Sequence, residues 1–161
     1  MSETTSARQA RRKWFQKIHP IAGGIAFVTI LTFWVSTVTV EIFGSTAAIV
    51  TVKQAIAWGL LILVPSIALT GISGFVLGGK SIAPIILAKK RRMPFIGANG
   101  VVVLAPSAIA LAVLSARGDF GSWFLAIQAV ELIAGLVNLT LIALNMRDGF
   151  ALTRGRRARP A

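Results

Sequence analysis

The sequence contains no cysteine and no tyrosine, one histidine (His19) and five acidic residues in 161. The lack of cysteine excludes disulfides, thiolate zinc sites, iron–sulfur clusters and cysteine nucleophiles together. A single histidine excludes a multi-histidine metal site and a bis-histidine haem within one chain. No Gly-rich phosphate loop is present, since Gly71, Gly74, Gly78 and Gly79 lie in an apolar run rather than between a strand and a helix. No nucleophile elbow surrounds a serine. Charge is also scarce, at 14% of residues, where soluble domains carry about a quarter.

What the chain has in abundance is apolar sequence, 55% of it. Ile18 to Val40 is 23 residues without an ionised group apart from the titratable His19, Gln54 to Gly79 is 26, and Met93 to Ala116 is 24. A fourth stretch, Phe120 to Met146, is interrupted by Glu131 alone. Each exceeds the roughly 20 residues that cross a hydrocarbon core about 30 Å thick. A backbone in lipid must satisfy its own hydrogen bonds, so these stretches predict transmembrane helices at about 18–42, 54–79, 94–116 and 121–146. The expected fold is an all-α integral membrane protein, four helices in an antiparallel up-down bundle (residues 18–146). A basic segment, 1–17, precedes it and a basic tail, 147–161, follows. The first run is too long for a signal-peptide core and reads as an uncleaved helix.

The charges sort by side. Arg8, Arg11, Arg12, Lys13 and Lys17 precede helix 1. Lys80, Lys89, Lys90, Arg91 and Arg92 lie between helices 2 and 3. Arg147, Arg154, Arg156, Arg157 and Arg159 follow helix 4. With four crossings these segments share one side and hold 15 of the 17 basic residues, leaving Lys53 and Arg117 opposite. The positive-inside rule then puts both termini in the cytoplasm of a plasma membrane, most simply a bacterial inner membrane. Trp58 and Trp123 fit the outer interface, and Trp14 the inner one. Pro20 and Pro94 are expected in the first turns of helices 1 and 3, where a missing N–H is harmless.

The charge of +12 is thereby an orientation signal rather than a nucleic-acid signature. Lys89, Lys90, Arg91 and Arg92 are expected to touch anionic lipid headgroups, and no nucleic-acid partner is expected. Other partners would be further copies of the chain or a larger membrane complex. Close approach is foreseen at Gly71, Gly74 and Gly78, and at Ala108, Ala112 and Ala116.

Polar residues inside the spans are the candidate site. Glu131 sits near the middle of helix 4 and needs a partner. Asn138 and Asn145 follow at intervals of seven and fall on its face. Matching depths brings Thr32, Ser66 and Thr70 to the level of Glu131, and His19, Asn99 and Asn145 together at the cytoplasmic end. No catalytic constellation is visible, so the expected role is non-enzymatic: a small membrane subunit or accessory protein acting through helix packing. Two alternatives are a small transporter or channel with Glu131 at its polar centre, and a membrane b-type cytochrome with His19 as haem ligand. Otherwise no cofactor and no metal site is expected.

Overall fold

The computed structural model describes residues 2–157, all in helices joined by brief turns. α1 runs Ser2–Phe43, α2 Thr46–Gly78, α3 Pro84–Ala98, α4 Ala105–Ala116 and α5 Ser122–Arg157. A π-helical segment, Asn99–Leu104, joins α3 to α4 without a break. The described residues therefore form four helical rods, α1, α2, α3–α4 and α5, each long and apolar enough to cross a membrane.

The rods outrun the expected spans because charge does not end a helix. Ala, Arg, Gln and Lys are good helix formers, so α1 includes the basic segment and α5 continues through the first part of the basic tail. Arg159 lies outside the described residues. Pro20 and Pro94 accordingly lie inside α1 and α3 rather than in first turns; Pro84 opens α3 instead. The start of α2 also differs. Ser45, extended at φ −84°, caps the helix by accepting from the Ala48 N–H, so helix begins at Thr46 and takes in Lys53. Only Gly44 and Ser45 remain between α1 and α2. The opposite connection, from Gly79 to Ala83, begins on Gly79 at φ +45°, a backbone that glycine adopts without strain.

The π segment has a local reason. The ring of Pro106 would clash with the Val102 carbonyl in a regular α-helix. Widening the preceding turn, so that the Ala105 N–H reaches the Gly100 carbonyl, makes room while keeping backbone groups paired.

Small residues set the packing. Phe33 of α1 presses on Gly59 of α2, where a methyl group would overlap its ring. His19 lies close over Gly74, where a methyl carbon would sit 3.1 Å from its Cε1. These contacts make α1 and α2 an antiparallel pair. Trp34 packs on Gly135 of α5 and donates its indole N–H to the Leu132 carbonyl at 3.0 Å. Ala26, Ile30, Leu63, Ile96, Leu139 and Ile142 form the central apolar cluster. Outside it, large apolar side chains lie exposed on every rod, among them Trp58, Phe75, Val102 and Ile133. Such a continuous apolar exterior is untenable in water and ordinary against lipid tails.

Candidate functional site

The buried faces carry polar groups at three levels. For orientation, the end with the α1–α2 and α4–α5 connections is the hairpin end, and the opposite one the termini end.

At the hairpin end Lys53 and Glu131 meet. Lys53 stands two turns into α2, on the face that continues through Ile56, Leu63, Ser66 and Ser73. Its side chain is wholly buried, and its Nζ donates to Glu131 Oε2 at 2.7 Å, with the glutamate 12% exposed. The low-dielectric surroundings strengthen the attraction and also raise the desolvation penalty of each ion, so neither partner is tolerable there alone. Beside the pair lies a cavity of about 40 Å³. Its surface is almost wholly apolar, from Ile30, Phe33, Trp34 and Leu63 among others, with Glu131 and Thr37 also along its lining.

The level of Glu131 differs from the expectation that grouped it with Thr32, Ser66 and Thr70. Thr32 is exposed on α1. Ser66 and Thr70 donate to the carbonyls of Ile62 and Ser66 in their own helix, both at 2.7 Å. Matching depths failed because α2 starts eight residues earlier than Gln54. Lys53 rather than Ser66 thereby becomes the α2 residue level with Glu131. The face period already carried this signal: Lys53, Ile56 and Leu63 recur at helical spacing.

At mid-height Asn138 is fully buried. Its Oδ1 accepts from Asn99 Nδ2 at 2.9 Å and its own amide donates to the Ile96 carbonyl at 3.3 Å. Asn99 also donates to the Ala134 carbonyl at 2.9 Å. The two amides join α5 to the start of the π segment.

Toward the termini end, His19, Asn99 and Asn145 do not meet as expected; each has a separate partner. His19 Nδ1 lies 2.9 Å from Ser73 Oγ and 3.1 Å from the Thr70 carbonyl. A proton on Nδ1 satisfies that carbonyl and leaves Nε2 as the acceptor nitrogen. Asn145 accepts from Arg92 at 3.3 Å and donates to Met93 Sδ at 3.5 Å. Arg92 also pairs with Asp148 at 2.6 Å, closing α3 on α5. Of the expected headgroup run, Arg91 is exposed, whereas Lys89, Lys90 and Arg92 are half-buried. Lys90 donates to the Gly79 carbonyl.

Sequence reasoning missed two further residues. Gln128, one turn before Glu131, is 5% exposed, and neither of its amide atoms has a partner among the described residues. Glu41 Oε1, near the end of α1, is likewise buried and unpartnered there. No group of three or more metal-ligating His, Cys, Asp or Glu side chains exists among the described residues. Comparison with protein-family models, curated proteins and solved structures finds no match.

Proposed function

We infer that the chain is a non-catalytic membrane component, a subunit or accessory protein acting through its helix surfaces. It resides in a plasma membrane of the bacterial inner-membrane type, with both termini in the cytoplasm. The observation that carries this reading is how the buried polar groups are engaged. Lys53 with Glu131, Asn99 with Asn138, Arg92 with Asp148 and His19 with Ser73 each tie one rod to another. Groups held in such pairs lock a bundle rather than present reactive atoms to a substrate. Connections of two and five residues at the hairpin end add no separate domain there. Fifteen of 17 basic residues on one side support the orientation.

Purification from native membranes in a mild detergent tests the reading, with an absorption spectrum and identification of co-purifying proteins. A defined partner protein or a homo-oligomer is expected. A haem Soret band would replace this reading with the cytochrome one based on His19.

A second reading, a small ion- or proton-conducting protein, draws support from the unpartnered Gln128 and Glu41 Oε1 near the Lys53–Glu131 level. It requires loss of flux in Glu131→Gln with normal insertion; intact flux removes it.

A further inference from the structure

A groove of about 500 Å³ opens between α2 and α4 toward the hairpin end. Its two sides repeat one pattern. It is lined on α2 at 54, 57, 58 and 61 and on α4 at 109, 112, 113 and 116, the spacing of a single helix face. Ala57, Ala112 and Ala116 are too short to fill it, while Trp58, Leu61, Ile109 and Val113 stand exposed along its edges. Arg117 lies at its mouth, just past the end of α4.

The groove has the depth of one leaflet. The Gln54 amide donates to the Ala112 carbonyl at 2.7 Å and fixes the register of the two helices. Arg117 stands five residues beyond Ala112 on α4, and Leu61 seven residues deeper than Gln54 on α2. At 1.5 Å per residue the lining extends about 18 Å from Arg117 along the bundle. Half of a hydrocarbon core about 30 Å thick is about 15 Å, so the groove stops near mid-membrane. A docked transmembrane helix would instead need a seam along the whole core.

The mouth carries an uncompensated cation. Of the two basic residues at the hairpin end, Lys53 is wholly buried against Glu131. Arg117 is exposed and has no ion-pair partner among the described residues. Asp119, two residues on, is also exposed, and its Oδ1 accepts from the Gly121 N–H rather than from Arg117. A guanidinium presents its N–H groups in a fork that fits phosphate oxygens. A cation above an apolar slot one leaflet deep suits an amphiphile with an anionic head and a hydrocarbon tail.

We propose that the α2–α4 groove binds one anionic phospholipid of the hairpin-end leaflet, its phosphate on Arg117 and an acyl chain over Ala57, Ala112 and Ala116. The proposal rests on residence in a bilayer and holds for either function above and for either orientation. Flotation of the chain with vesicles reads that residence separately, and a chain that fails to float overturns both.

The test reads Trp58 fluorescence of the full chain in phosphatidylcholine vesicles, taken as the difference between wild type and Trp58→Phe. Phosphatidylglycerol or phosphatidylcholine brominated in mid-chain is added as quencher at the same low mole fraction. Phosphatidylglycerol is expected to associate about fivefold more strongly, the preference that about 1 kcal/mol per surface basic residue gives. Arg117→Gln should abolish that preference, and Ala116→Leu should weaken it by filling the groove beneath an intact charge. Lys80→Gln, at the opposite end, should keep it. Equal quenching by the two lipids, a preference unchanged in Arg117→Gln or Ala116→Leu, or its loss in Lys80→Gln would each overturn the proposal. The lack of cysteine permits one more check. Val113→Cys is expected to form no disulfide-linked dimer in oxidised membranes; such a dimer would seat a second copy in the groove and overturn the proposal too.

Discussion

Lys53 Nζ and Glu131 Oε2 lie 2.7 Å apart across 78 residues of sequence, with the lysine side chain entirely buried. This single bond joins α2 to α5 in the apolar interior, and its energetics are asymmetric. Removing one ion leaves the other desolvated and unpaired, whereas removing both leaves no buried charge. Glu131→Gln or Lys53→Met alone is expected to destabilise the bundle by about 3–5 kcal/mol. The Lys53→Met, Glu131→Gln double variant should recover much of that loss. Thermal unfolding in detergent measures all three, and additive losses would show that the pair is not coupled.

Phe33 and Gly59 give a steric prediction. A methyl at Gly59 would overlap the Phe33 ring, and overpacking of this kind costs about 1–3 kcal/mol. Gly59→Ala should therefore lower the melting temperature. Gly24→Ala, where nothing lies within 4 Å of the new carbon, should leave it unchanged or raise it slightly, because alanine loses less entropy in a helix.

Asn138 holds α5 to the π segment through Asn99 and to α3 through the Ile96 carbonyl. Asn138→Leu keeps a similar volume and removes both bonds. Hydrogen bonds between membrane helices average about 0.6 kcal/mol and reach about 1.7, so a loss of about 1–2 kcal/mol is expected. Hydrogen exchange should rise at Asn99–Leu104 before it rises elsewhere, because the Asn99 bond to the Ala134 carbonyl is then the side-chain hydrogen bond left between that segment and α5 among the described residues.

Arg92, Asn145 and Asp148 close the termini end. Arg92 is 24% exposed and Asp148 13%, so solvent screens the pair more than it screens Lys53–Glu131. Arg92→Gln is expected to lose about 0.2–1 kcal/mol. The loss should shrink in high salt, whereas that of Lys53→Met should not. Melting temperatures at two ionic strengths separate them.

Topology is testable apart from stability. The proposed orientation, both termini cytoplasmic, predicts that reporters fused to either end are active only if they work in the cytoplasm. Moving the Lys89-Lys90-Arg91-Arg92 charges to the α1–α2 connection should disturb that orientation.

The number and place of the helical rods were legible in the sequence because lipid imposes a length rule and a backbone rule. A run such as Gln54–Gly79 satisfies both without knowledge of its neighbours. The need of Glu131 for a partner was legible for the same reason, as was the stripe it shares with Asn138 and Asn145. The identity of the partners was not. Lys53 reads as a boundary charge when hydropathy ends the span at Gln54. Only the Ser45 cap and the near-direct α1–α2 turn draw it inside to meet Glu131. Hydrophobicity is a property each residue brings along the chain, so a linear reading captures it. Which ion faces which depends on a register set by side-chain shape between helices, and that exists only once they have packed.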